Sequence, residues 1–136
     1  MYNIKAKDLI IYGGSICLAV IIFLFLLTTN LIGYGVKDGC QLAKDKYPGS
    51  CVEALIAYLD DDSNDMRSRN TAIWALGQLG DKQALPALNE RYVGVPEGKE
   101  PLSKTISQYE LKKAINLLGD GFNVSAPFWR FGPGVK

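Results

Sequence analysis

The densest chemistry in the 136-residue chain is the turn Asp60-Asp61-Asp62-Ser63-Asn64-Asp65. Asp60, Asp62 and Asn64 alternate as the first ligands of a calcium-binding loop do. The sixth position is Asp65 instead of glycine and the twelfth is Thr71 instead of glutamate, so the sharp turn and the bidentate ligand are missing. Helix capping and a contact to Arg67 or Arg69 are expected instead. Nothing apolar surrounds these carboxylates to separate their pKa values, so they do not read as an acid-base pair. The chain has no histidine, which removes the commonest general base and metal ligand. Of the three cysteines, Cys17 lies in an apolar run, and none stands in a CxxC spacing. Cys40 and Cys51 can pair if their compartment is oxidising; otherwise they are buried free thiols. No catalytic residue, metal or cofactor is expected, and no small-molecule substrate.

Charge narrows the field further. Beyond Val36 there are 13 basic and 13 acidic residues, so a nucleic-acid role has no excess of positive charge to rest on. Residues 9–36 contain no charged side chain. About 20 helical residues cover the roughly 30 Å hydrocarbon core of a bilayer, and the reading is a spanning helix from Leu9 to about Thr29. Lys5, Lys7 and Asp8 bound it on one side, and Asn30, Gly33, Lys37 and Asp38 mark the exit on the other, with Tyr12 and Tyr34 near the interfaces. The run exceeds the apolar core of a signal peptide and no A-x-A site follows, so a retained single-pass anchor is expected. Lysines flank both ends and do not decide orientation; the short basic start leans towards an N-terminus inside and a domain outside. Gly13 with Cys17 and Ser15 with Ala19 place small residues four apart, where another helix can approach.

The remainder reads as helices. Residues 38–47 are mildly amphipathic and form a short linking helix that closes at Pro48-Gly49-Ser50, where Ser50 supplies an N-cap. Residues 51–59 carry Val52, Leu55, Ile56 and Leu59 at helical spacing. From Met66 to Leu79 the inward stripe is the Arg69 stem, Ala72, Ile73, Ala75, Leu76 and Leu79, with Gly80 as C-cap. A third helix spans about residues 82–92, with Pro86 tolerated in its first turn. A fourth spans about residues 103–119, with Leu111, Ala114, Ile115 and Leu118 inward. Ala54-Leu55 recurs as Ala87-Leu88 at an offset of 33, and Ala75-Leu76 with Leu79-Gly80-Asp81 recurs as Ala114-Ile115 with Leu118-Gly119-Asp120 at an offset of 39. The difference is the surface loop of residues 93–104, rich in Pro, Gly and charge.

The stretch CVEALIAYLDDDSNDMRSRNTAIWALGQLGDKQALPALNERY resembles the short HEAT repeats of the PBS-lyase type, with their Leu-rich first helix, acidic turn, arginine, Ala-rich second helix and ALGQLGD..ALPAL junction. The likeness covers residues 51–92 and extends more weakly to Asp120. Two extra residues between the turn and the second helix leave the family arginine at Arg67 or Arg69, and Gln108 stands where the next one would fall. The resemblance implies an αα-solenoid and a binding role, and by analogy with bilin-attaching lyases it raises an enzyme or enzyme subunit as the alternative. Two helix pairs bury little core, so the solenoid must lean on the linking helix, the tail, the membrane surface or a partner.

At 100° per residue, Trp74 points away from Ala72 and Leu76, towards Arg67, Asn70 and Gln78. The equivalent face of the fourth helix carries Tyr109, Lys113 and Leu117, and together these residues form a candidate aromatic and basic binding strip. The alternative places Trp74 under the 93–104 loop or on the linking helix. The tail FNVSAPFWRFGPGVK holds Phe122, Phe128, Trp129 and Phe131 beside Arg130, too aromatic for a solvated end. It caps its own solenoid, docks in a partner's groove or sits at the lipid interface. Asn123-Val124-Ser125 also matches a glycosylation acceptor.

These readings predict an all-α protein: residues 1–36 as N-terminal tail and transmembrane helix, 37–50 as linking helix, 51–121 as HEAT-like repeat domain and 122–136 as irregular aromatic tail. The function they favour is a membrane-anchored interaction module, an accessory or assembly subunit of a larger membrane complex. Its partners are the other subunits of that complex and the lipid bilayer. The partner-binding residues are Arg67, Asn70, Trp74, Gln78, Tyr109, Lys113, Leu117, Phe128, Trp129, Arg130 and Phe131.

Overall fold

The structure, a computed structural model, describes residues 6–130. Helix α1 runs unbroken over Ala6–Lys44, 39 residues or about 58 Å. This replaces the expected span and separate linking helix with a single element. Asn30, Gly33, Lys37 and Asp38 mark the expected exit from the membrane, yet the helix runs on through Gly33, Gly35 and Gly39, although each glycine weakens a helix interior by about 1 kcal/mol. Packing overrides that cost. A Cβ at Gly33 would lie 3.0 Å from the Cβ of Trp129, one at Gly35 would lie 3.1 Å from Cη2 of Trp74, and one at Gly39 would lie 3.8 Å from Ala75. The helix needs glycine at 33 and 35 to receive the two indoles, while a methyl at 39 would make only ordinary contact with Ala75.

Helix α2 (Cys51–Asp60) starts at a capping box in which the Glu53 N–H donates to Ser50 Oγ and the Ser50 N–H donates to Glu53 Oε2. Helix α3 (Met66–Leu79) is capped by Asp65, which accepts from the Ser68 N–H, and ends at Gly80 in the left-handed conformation with φ 71°. A 3₁₀ turn over Lys82–Ala84 leads into α4 (Leu85–Arg91), with Pro86 in its first turn. Helix α5 (Gln108–Leu118) begins later than the apolar stripe suggested. Residues 101–105 instead form a turn in which the N–H groups of Lys104 and Thr105 donate to the Pro101 carbonyl. A four-residue helix, α6 (Ala126–Trp129), closes the described chain.

Helices α2 to α5 form two antiparallel pairs around Leu55, Leu59, Ile73, Leu76, Leu88, Leu111 and Leu118, all essentially fully buried. The second half of α1 lies across α2 and α3, and α6 lies against α1. The short solenoid thus gains a helix from the N-terminal segment. The long apolar helix followed by a short helical repeat region is the architecture the sequence predicted, and the described residues contain no strand. Helices α3 and α5 cross at Gly77, where a Cβ would sit 2.7 Å from Cα of Ala114 and 2.9 Å from its Cβ.

Two substitutions test this packing by chemical denaturation of the detergent-solubilised chain. Leu76→Ala leaves a cavity and is expected to cost roughly 2–5 kcal/mol. Gly77→Ala adds only a methyl, yet it must push two backbones apart, and about 1–3 kcal/mol is expected. An unchanged midpoint for Gly77→Ala would contradict the close crossing.

Candidate protein-interaction site

Every carboxylate of the acidic turn has a partner within the chain. Asp60 pairs with Arg91 of α4 at 2.6 Å, and Asp62 pairs with Arg69 at 2.7 Å. Asp61 accepts from the Tyr47 hydroxyl and from the Ser63 N–H, and Asp65 caps α3. The Tyr47 hydrogen bond, reinforced by Ser63, holds the Asp61 carboxyl well below the usual carboxylate range. Buried Asn64 joins the Lys46 ammonium, the Tyr47 hydroxyl and the Tyr58 carbonyl. The expected capping role is observed. Of the two candidate arginines, Arg69 is the one drawn inward: it is buried, and its Nε–H donates to the Leu59 carbonyl at the end of α2. Arg67 stays exposed.

The proposed strip divides. Arg67, Asn70, Trp74 and Lys113 line one groove with Thr71, Leu102 and Glu110. Lys113 pairs with Glu110 at 3.0 Å, and its ammonium lies 5.1 Å from the ring centroid of exposed Tyr109. Trp74 is half-buried, with one edge on Gly35 of α1 and another side in the groove. Both placements left open for it are met in part: α1, which continues into the expected linking helix, covers one edge, and the rest faces the groove. Asn70 lines the groove with its side-chain amide already bonded within the chain. It is buried, its Nδ2 donates to the carbonyls of Leu102 and Thr105, and its Oδ1 accepts from the Ser107 N–H. It is the clamp that folds the 93–107 segment back onto α3, so its amide is spent within the chain. Gln78 and Leu117 line a different cleft, with Phe25, Thr28, Thr29 and Ile32 of α1 and residues 122–125 of the tail.

The tail folds back on its own chain. Trp129 is 5% exposed against α1, and its indole N–H donates to Ser125 Oγ. The Arg130 guanidinium donates to the Gln78 carbonyl. Asn123 Oδ1 accepts from Ser125 and Ala126 to start α6, while its Nδ2 donates to Gln78 Oε1, which occupies the amide a glycan would need. Trp129 and Arg130 are therefore internal contacts, whereas Phe128 remains 58% exposed and touches Phe25 edge-on at 5.0 Å between ring centres. Phe131 lies outside the described residues.

Two features escaped the sequence reading. Glu100 sits over the start of α5, accepting from Ser107 Oγ and from the N–H groups of Gln108 and Tyr109. Burial raises its pKa, but those three hydrogen bonds together outweigh that and hold it below the ordinary value. The second is Gln108. Its Nε2 donates to the Arg91 carbonyl at the end of α4, as Arg69 does to the end of α2. Cys40 and Cys51, with Cα atoms 5.1 Å apart, are joined by a disulfide that clips α1 to the start of α2.

Residues 40–96 match the family model of HEAT repeats. That match supports the HEAT-repeat reading, and HEAT repeats are typically non-catalytic scaffolds for protein-protein contacts. No curated protein and no solved structure matches the chain.

The acid side of the stability curve tests the caps. Glu53, Asp61, Asp65 and Glu100 all hold pKa values below their ordinary ones, so each stabilises the fold when ionised and loses that contribution as the pH falls. The thermal midpoint is expected to be level between about pH 7 and 5 and to drop below about pH 4.5. Asp61→Asn combined with Glu100→Gln should flatten that drop; an unchanged acid slope would remove the assigned role of these caps.

Proposed function

We propose that this chain is a single-pass membrane protein whose HEAT-like domain binds other subunits of a larger membrane complex, as an accessory or assembly subunit. The observation that carries this reading is the continuity of α1. Its first part is long and apolar enough to cross a bilayer, its apolar window has no buried share, and its second part packs on α2 and α3. An anchor built this way holds a binding surface at fixed height, which raises local concentration and removes orientational freedom that association would otherwise cost. The surface is the groove of Arg67, Trp74, Leu102 and Lys113. An apolar floor with Arg67 at its rim and the Lys113–Glu110 pair beside it suits a partner segment that sets an acidic side chain next to an apolar one. Chemistry is left out of this reading because the carboxylates are absorbed in caps and ion pairs.

The Cys40–Cys51 pairing supports an oxidising compartment for the domain, with the N-terminus on the reducing side, because such bonds persist where thiols are not continually reduced. Cells quenched with acid and alkylated after unfolding in dodecyl sulfate are expected to yield protein modified at Cys17 alone, with Cys40 and Cys51 reacting only after reduction. Direct modification of all three cysteines would place the domain on the other side.

Complex formation tests the groove. In native membranes solubilised in mild detergent, the chain is expected to migrate within a larger assembly. The exposed double substitution Arg67→Glu with Lys113→Glu is expected to release it while leaving helix content and thermal midpoint near wild type. Normal assembly of that variant would eliminate the groove, and a wild-type chain that runs alone would eliminate the subunit reading.

A further inference from the structure

The tail leaves an edge that its capping role does not use. Phe122 is 82% exposed, Val124 60% and Phe128 58%. They lie in residues 121–129, a stretch with no charged side chain. A soluble face rarely carries such a cluster without a partner. The contacts fix its height along α1: Phe128 meets Phe25, and Phe122 and Val124 line a cleft with Phe25, Thr28, Thr29 and Ile32.

That height matters because of where the bare part of α1 ends. Thr29 is the first residue of α1 buried by the rest of the chain, and residues 9–28 are exposed, with the tail touching the helix at Phe25 and Thr28. Twenty residues rise about 30 Å, the thickness of the hydrocarbon core. The uncharged run continues to Val36, a further 12 Å or so, which is interfacial depth. The domain's lower edge therefore coincides with the boundary between acyl chains and headgroups. Phe128, against Phe25, lies about 5 Å inside it, within the depth an interfacial apolar face reaches.

We propose that residues 122–128 form a second, interfacial attachment to the bilayer that α1 crosses, with Phe122, Val124 and Phe128 at the boundary between phospholipid headgroups and acyl chains. The proposal rests on the anchored reading of α1. A protein partner is the lesser candidate for this edge, since its apolar groups continue the bare surface of α1, and the cations beside Phe122, Lys82 and Arg130, sit at the height of the phospholipid headgroups. Two attachments, one spanning and one lateral, fix the rotation of the domain and hold its groove in one orientation over the membrane.

Site-directed spin labelling of the full chain in phosphatidylcholine and phosphatidylglycerol vesicles tests this. In a Cys17→Ser background that keeps the Cys40–Cys51 bond, single labels are placed through Leu18→Cys, Phe122→Cys, Phe128→Cys and Val93→Cys. Collisions with oxygen report lipid, and collisions with a water-soluble nickel chelate report solvent. The expected ratio of oxygen to nickel collisions is highest at 18, lowest at 93, and clearly shifted towards lipid at 122 and 128. Labels at 122 and 128 as nickel-accessible as the one at 93, with 18 still in lipid, would overturn the attachment while leaving the span. Immobilised labels at 122 and 128 reached by neither probe would mean a protein covers this edge, and would also overturn it. A solvent-exposed label at 18 would overturn the span and the attachment together. Because Phe122 makes no core contact, its label reads position independently of any local loosening at Phe128.

Discussion

The fold depends on one close approach: α1 must pass Trp74 and Trp129 at glycine distance. Three glycines within seven residues of a helix weaken it by about 3 kcal/mol relative to alanine. A break would follow if nothing answered that cost. What answers it is the placement of two indoles, one from α3 and one from α6, on the surface that Gly33 and Gly35 open. Aromatic side chains of this size bury 150–250 Å² each, and at about 25 cal/mol per Å² the two together more than offset the glycine cost. The helix stays continuous because the domain is packed on it, and the domain is completed because the helix is continuous.

The repeat has a polar logic that matches its apolar one. Arg69 and Gln108 occupy the same place at the start of α3 and α5, and each bonds the last carbonyls of the helix before it. Arginine also reaches Asp62, while glutamine accepts instead from the Val93 N–H. The substitution therefore changes the second contact and keeps the first. It also explains why a repeat lacking the family arginine still folds: the orphan carbonyls at a helix end need a donor, and an amide is enough. Arg91 adds the link between repeats by pairing with Asp60. Asn70 secures the long loop by bonding its backbone, and Glu100 of the loop accepts from the first N–H groups of α5, so that the loop packs as a strap over α3 and the start of α5.

Helix existence and the inward stripes were legible because Leu55, Leu76, Leu88 and Leu111 recur with helical period and no competing signal. Three things were not. Continuity through Gly33, Gly35 and Gly39 depends on residues about 35 to 100 positions away, which no local pattern contains. The start of α5 depends on Glu100 arriving from outside the helix to take its first N–H groups, while the apolar period alone also admits an earlier start. Among the candidate site residues, Arg67, Trp74 and Lys113 do converge, because they sit on facing sides of two adjacent helices. Asn70 and Gln78 share the same helical face, yet they serve the loop and the tail; period gives a direction and not the neighbour met there.

These constraints make the N-terminal helix part of the domain and not a tether to it. A flexible linker would let the solenoid rotate and would leave its α2–α3 face bare. Here the same helix that supplies the apolar span also supplies the missing layer, the disulfide fixes its end to α2, and the tail grips it from the side. Trp74 packs on Gly35 of α1, and Trp74 is also a wall of the groove. The seat of the helix and the wall of the groove thus share one side chain.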